Sequence, residues 1–231
     1  MLPESLSIKE IIYLLAVKNK NGRVSGKHEN YHFGIIGAAL IELTTSGHVD
    51  VEQRKLRVKN ENSTNNPALD YILQKVSKRN KPRKVKNWVS AFNNHFSRIR
   101  NPIREQLYQK GYLSREQKSF LGLIPYWLHP VVKADEKQKM SDYLHDIILT
   151  KNEYSDKEAA VISMLYLSGV FRTIFSDKNE RKQARNKIKK QIKEGTISSA
   201  VSESIKEMQA AMIAAVTAAT VATAAAGASS N

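Results

Sequence analysis

Apolar residues recur at helical spacing along most of the chain, and the widest apolar stripe lies within residues 33–50. Its members are one, three or four residues apart, as on an α-helix with a broad buried face: Ile35, Ile36, Ala39, Leu40 and Leu43. Gly34 and Gly37 leave one side narrow enough for another helix to approach closely. Glu42 is the only charged residue of this helix, and we expect its carboxylate to be paired with an arginine. The pattern predicts a buried central helix that Gly47 ends.

The remaining periodic segments predict further helices and two β-hairpins. Helices are expected over residues 5–18, 67–79, 85–96, 98–110, 137–149, 155–175 and 198–226. The first hairpin covers residues 48–59, where Val49 and Val51 face Leu56 and Val58 across a Gln-Arg-Lys turn. The second lies within residues 114–136, whose two apolar runs flank Pro125. We therefore expect a mainly α fold, a single helical domain over residues 1–226 around the central helix, with a frayed tail at 227–231.

The charge of the chain narrows the classes of partner. The 231 residues carry 37 Lys and Arg against 22 Asp and Glu, a formal net charge of +15. Such an excess predicts affinity for nucleic acid, an anionic membrane surface or an acidic protein, with a merely solubilising surface as the alternative. The absence of cysteine excludes disulfides and thiolate chemistry and is typical of a reducing compartment. The opening MLPESLSIKE lacks the basic region of a signal peptide, so we expect a cytoplasmic protein.

One short motif suggests metal chemistry. His28-Glu29-Asn30-Tyr31-His32 matches H-E-x-x-H, in which two histidines one helical turn apart bind zinc and the glutamate is the general base. The context argues against it, because glycines flank the motif at 26 and 34 and no downstream segment offers a clear third ligand. A polar approach to the central helix explains the same residues. A zinc-dependent hydrolase at His28, Glu29 and His32 is therefore the alternative function, and we expect no metal, cofactor or catalysis.

Basic residues on the helix near residue 100 are the stronger indication. Arg98, Arg100 and Arg104 lie on it, and Arg100 and Arg104 are one turn apart on a shared face. Guanidinium groups in this arrangement can bind a phosphate through paired hydrogen bonds. Basic residues of the first hairpin and of residues 78–86 could extend the positive field, and a solvated charged face is the alternative for each group.

Four stretches resemble the Golgi phosphoprotein 3 family: LIELTTSGHV (40–49), RNPIREQLYQKGYLSREQKSF (100–120), the His-Pro pair at 129–130 and KEMQAAMIAAVTAA (206–219). Their order and spacing agree from about residue 6 to residue 221. The resemblance implies a mainly α fold with a protruding apolar β-hairpin. It also implies a non-catalytic peripheral membrane adaptor that binds phosphatidylinositol 4-phosphate and gathers Golgi glycosyltransferases by their cytosolic tails. The chain lacks the basic N-terminal extension of eukaryotic members, so we expect a prokaryotic-type member.

The phosphate pocket of the family carries over only in part. Its tryptophan falls on Lys27, its central-helix arginine on Ile36, and its Arg-x-x-Arg pair on Ser97 and Arg100. The resemblance thus implies a lipid-phosphate site made of Arg100, with Arg98, Arg104, Lys27 and Ser97 as neighbours or substitutes. The expected ligand is an anionic phospholipid or phosphoinositide headgroup. Nucleic acid is not expected, because no recognition motif accompanies the charge.

The apolar stretch FLGLIPYWLHPVV (120–132) is expected to be covered by another surface. A soluble monomer rarely exposes so many large apolar side chains, and five are expected on the hairpin: Leu123, Ile124, Tyr126, Trp127 and Leu128. The membrane interface and a second copy of the chain are the two destinations that the family resemblance favours. Folding of the stretch back into the core is the alternative.

Overall fold

The elements of the fold are assigned from a computed structural model, which describes residues 1–24, 30–79, 81–121, 123–194, 208 and 210–215. In chain order they are α1 (Ile8–Ala16), α2 (Tyr31–Thr45), β1 (Val49–Glu52), β2 (Lys55–Val58), α3 (Pro67–Ser77), β3 (Arg83–Lys84), α4 (Val85–Asn94), α5 (Ser97–Gln109), β4 (Glu116–Phe120), β5 (Ile124–Leu128), α6 (Ala134–Thr150), α7 (Asp156–Ser168), α8 (Phe171–Ile174) and α9 (Lys178–Glu194). The fold is mainly α with two small antiparallel sheets, as the sequence predicts. Within the described residues, no helix has both the length and the apolar character needed to cross a bilayer.

The central helix is α2, which packs chiefly against α1 and α7. Its glycines allow the close approach that the sequence predicts. A Cβ added at Gly34 would lie 2.5 Å from Ser168 Cβ, and one at Gly37 would meet the Sδ of Met164. Glu42 has a different partner from the one expected. Its Oε2 lies 2.5 Å from Nζ of Lys9, a fully buried lysine on α1, so the prediction of an arginine partner was wrong.

The first hairpin has the predicted register, with Val49 opposite Val58 and Val51 opposite Leu56. Its turn places Gln53 and Arg54 at φ of 51° and 61°, the left-handed region. The two-residue strand β3 pairs with β2 and completes a three-stranded sheet. Sequence reasoning missed β3 because two residues are too short to show a period-2 pattern.

The predicted helix over residues 155–175 is interrupted. Gly169 has a φ of 70° and ends α7, and α8 starts at Phe171. The basic segment after it forms α9, with Ala184 and Ile188 buried. The predicted last helix is described only at Met208 and residues 210–215, where it is helical. The rest of that prediction, and the tail at 227–231, lie outside the described residues.

Candidate functional site

α5 carries the two arginines that the sequence places on one face. Ile99, Ile103 and Leu107 are completely buried and fasten one side of this helix to the core. Arg100 and Arg104 flank that buried side and are themselves half-buried. Their guanidinium groups are therefore held near the protein surface rather than extended into solvent, which favours a defined site over a diffuse charged face.

Among the described residues, neither arginine has a carboxylate partner. Arg104 Nη2 donates a 2.6 Å hydrogen bond to Asn101 Oδ1, a neutral amide. Arg100 Nε is buried and has no hydrogen-bond acceptor among the described residues. Neither Arg100 nor Arg104 takes part in an ion pair with any described residue. Because a buried unpaired donor is unfavourable, Arg100 is ready to donate to an anionic ligand.

Two rings, the buried Tyr13 and the half-buried His129, lie within electrostatic reach of these arginines. Tyr13 on α1 is 2% exposed, and burial raises its pKa to about 12, against the opposing effect of Arg104 and Arg100. The pKa of His129 is lowered by burial first and then by Arg104, Arg115 and Arg100. We call the group formed by Tyr13, Arg100, Arg104, Arg115 and His129 the arginine cluster.

Arg115 is the member whose charge is compensated. It forms an ion pair with Glu105, and its Cζ lies 4.5 Å from the ring centroid of Tyr108. The Tyr108 hydroxyl lies 2.5 Å from His129 Nδ1. The surplus positive charge of the cluster therefore comes from Arg100 and Arg104. Tyr108 contacts both Arg115 and His129 and so connects these two members of the cluster.

The arginine cluster adjoins the base of the hairpin formed by β4 and β5. His129 follows β5 directly, and its backbone N–H donates to the carbonyl of Asn21 at 3.2 Å. The N–H of Val131 donates to the carbonyl of Asn19 at 2.9 Å. Gly22, at a φ of 63°, packs against the His129 backbone so closely that a Cβ would overlap it. The loop after α1 thus fixes the hairpin beside the arginines.

The hairpin itself is exposed, contrary to the alternative in which it folds back into the core. Leu123 is 84% exposed, Ile124 63% and Trp127 55%. Tyr126 and Leu128, the other two residues predicted for this surface, are half-buried. Tyr126 lies beneath Arg23, whose Cζ is 5.8 Å from the ring centroid. The exposed apolar surface of the hairpin therefore comprises Leu123, Ile124 and Trp127 together with Phe120 and Leu121, which are 60% and 80% exposed.

The other predicted site residues differ in exposure and in their position relative to Arg100. Ser97 and Arg98 are both exposed in the first turn of α5. Ser97, three residues before Arg100, shares its side of the helix, whereas Arg98 projects from the opposite side. Ile36 is completely buried and contributes no charge. Lys27 lies outside the described residues, as do His28 and Glu29 of the zinc alternative.

Sequence reasoning missed Tyr13, Arg115 and His129 as members of the site. Tyr13 lies within an apolar helical stripe, and His129 is one of several scattered histidines, so no local pattern connects either to Arg100. Across the described residues, no three His, Cys, Asp or Glu side chains are grouped so that they could hold a metal ion.

The chain is thus a mainly helical protein built around a buried helix, with an exposed apolar hairpin beside two arginines that have no carboxylate partner in the described part of the chain. Residues 8–221 match the family model described as Golgi phosphoprotein 3 (GPP34), so the chain belongs to that family. It is similar to the vacuolar protein sorting-associated protein 74 of Eremothecium gossypii, with 24% identity over 187 residues. The match covers 71% of this chain and 56% of the relative, so the chain spans little more than half of that protein.

Proposed function

We propose that this protein is a non-catalytic peripheral membrane adaptor that binds the phosphate of an anionic lipid headgroup through Arg100 and Arg104. The observation that carries the proposal is the buried Nε of Arg100, which has no acceptor among the described residues and lies in a cluster whose surplus charge is positive. A phosphate oxygen would accept from this donor and offset the charge. Phosphatidylinositol 4-phosphate is the headgroup that the resemblance to the family implies.

The hairpin supplies the second part of the proposal. Leu123, Ile124 and Trp127 would enter the membrane interface, where apolar side chains and tryptophan are favourable. Since the base of the hairpin contacts the arginine cluster, headgroup binding and insertion would take place on the same side of the molecule. The protein would then act at the cytoplasmic surface of a membrane and present its other faces to protein partners.

Vesicle sedimentation tests the headgroup site. Wild-type protein is expected to sediment with phosphatidylcholine vesicles that contain phosphatidylinositol 4-phosphate and less with vesicles that lack it, and binding should weaken as salt screens the charges. Arg100→Ala should weaken binding by about tenfold or more, as loss of a charge-assisted hydrogen bond does. Arg98→Ala is the matched control, since it removes the same charge from the opposite side of α5. Equal losses for the two variants would show diffuse attraction and refute the site.

A double variant of the hairpin separates insertion from headgroup recognition. Leu123→Ser with Ile124→Ser should weaken vesicle binding while leaving the affinity for the soluble inositol phosphate headgroup unchanged. Analytical ultracentrifugation of the same variant tests the competing destination of the hairpin. If the variant loses self-association but binds vesicles like the wild type, the hairpin contacts a second copy of the chain and the insertion step is wrong.

A further inference from the structure

A cation-lined groove lies between β2, the C-terminal end of α3 and the start of α4. Its volume is about 390 Å³, and none of its lining residues belongs to the arginine cluster. Its cations come from the first sheet and from the segment between α3 and α4: Arg57, Lys59, Arg79, Lys81 and Arg83. Two carboxylates line it, Glu52 and Glu61, and Glu52 is already bound to Arg57 at 2.7 Å. The groove therefore has a surplus of positive charge.

Trp88 provides an independent sign of a missing ligand. This lining residue is 4% exposed, and its indole Nε1 is buried with no hydrogen-bond acceptor in the part of the chain that the structure describes. An indole N–H can only donate, and a buried tryptophan usually finds an acceptor. Leaving such a donor unpaired in the protein interior is unfavourable. A buried donor without an acceptor among the described residues thus lies on a groove in which cations outnumber carboxylates.

The surrounding elements hold one of these cations, Arg83, in place. Arg83 is paired with Leu56 across β2 and β3, and its Cζ lies 5.6 Å from the centroid of the Trp88 ring system. The Arg54 carbonyl, in the left-handed turn of the first hairpin, accepts a 2.9 Å hydrogen bond from the N–H of Val85. This bond ties the sheet to the first residue of α4. Backbone hydrogen bonds therefore fix the side of the groove that carries Arg83 and Trp88.

We infer that this groove binds a phosphate group, as a second anion site separate from the arginine cluster. A phosphate offers several acceptor oxygens and up to two negative charges. It can accept from guanidinium groups such as Arg79 and Arg83 in pairs and from the Trp88 indole at the same time. A carboxylate has fewer oxygens and less charge. The phosphate can belong to a soluble phosphorylated molecule or to a lipid headgroup.

Fluorescence of Trp88 tests the site, because the chain has only two tryptophans. Trp127→Phe leaves Trp88 as the only emitter, and Arg100→Ala in the same protein disables the arginine cluster. Titration with inorganic phosphate at constant ionic strength should change the emission saturably. Arg83→Gln should weaken the apparent affinity by about tenfold or more, whereas Lys84→Gln, the adjacent cation that does not line the groove, should leave it unchanged.

Two further measurements complete the test. In the Arg100→Ala background, phosphate should raise the thermal midpoint, and Trp88→Phe should abolish that rise while circular dichroism shows a folded protein. If Trp88→Phe does not fold, the comparison of Arg83→Gln with Lys84→Gln decides alone. A parallel titration uses vesicles that contain phosphatidic acid instead of free phosphate. If the emission responds to these vesicles but not to free phosphate, the ligand of the groove is a lipid phosphate. No saturable response to either probe, or equal effects of the two glutamine variants, would overturn the inference.

Discussion

The hydroxyl of Tyr108 on α5 lies 2.5 Å from Nδ1 of His129 at the base of the exposed hairpin. This contact connects the helix that carries Arg100 and Arg104 to the apolar surface next to it. His129 also lies within the field of those arginines, which lower its pKa together with burial. The imidazole can therefore report on whether an anion occupies the arginine cluster.

We predict that the pKa of His129 lies below 6.5 in the free protein and rises when the soluble phosphatidylinositol 4-phosphate headgroup binds. Burial is the largest cause of the lowered pKa, and Arg104, Arg115 and Arg100 follow. A bound phosphate would offset the arginines and make protonation easier. NMR titration of the His129 ring measures both values. An unchanged pKa at saturating headgroup would place the ligand elsewhere.

The same shift predicts a pH dependence of stability. Because the folded-state pKa of His129 is depressed, the unfolded chain binds more protons between that pKa and about 6.5. The contribution of His129 is therefore fully present above pH 6.5 and is lost as the pH falls through the folded-state pKa. Urea unfolding of wild type and His129→Asn across this range should give a difference that shrinks on acidification. A difference that grows would contradict the assignment.

Removing one partner of the Lys9–Glu42 ion pair should destabilise the protein much more than replacing both partners. Glu42→Gln leaves the ammonium of the completely buried Lys9 without its 2.5 Å partner, and the free energy of unfolding should fall by about 3–5 kcal/mol. Adding Lys9→Met should restore most of the loss. Glu52→Gln, at the exposed pair with Arg57, is the control and should cost about 1 kcal/mol or less. Urea denaturation measures all three.

The two glycines of α2 should respond differently to alanine. At Gly34 the new Cβ would lie 2.5 Å from Ser168 Cβ and 3.0 Å from the Met164 carbonyl, neither of which can easily move. At Gly37 it would meet the side-chain ends of Met164 and Met212, which are flexible. Overpacking costs about 1–3 kcal/mol, and alanine returns about 1 kcal/mol of helix propensity. Thermal unfolding should show Gly34→Ala clearly destabilised and Gly37→Ala close to wild type, and the reverse order would contradict the packing described.

The lowered pKa of Lys137 predicts that stability changes with pH in the alkaline range. Burial lowers its pKa from 10.5 to about 8, although its Nζ donates to the Val17 carbonyl and, at 2.8 Å, to Asn19 Oδ1. Between pH 8 and 10.5 the unfolded chain binds the extra proton, so stability should rise with pH by about 3 kcal/mol. Unfolding of wild type and Lys137→Met over this range isolates the effect. A parallel profile for the two proteins would contradict it.

Local features of the molecule followed from the sequence alone. The extent of α2, the pairing of Val49 with Val58 and the shared face of Arg100 and Arg104 each depend on a repeat of two or 3.6 residues, which neighbouring residues express directly. The exposed hairpin followed from an apolar run too long for a short hairpin to bury. The identity of the phosphate ligand and the role of Ser97, Arg98 and Lys27 stay predictions.

Contacts between distant segments were decided only by the tertiary structure. Lys110 Nζ binds Glu10 Oε2 at 2.7 Å across 100 residues, and Tyr13 and His129 join Arg100 from separate elements. The Lys9–Glu42 pair and the groove beside Trp88 arise in the same way. Such contacts depend on how whole helices pack, and a helical period determines which side of a helix is buried without determining which residue of another helix it meets.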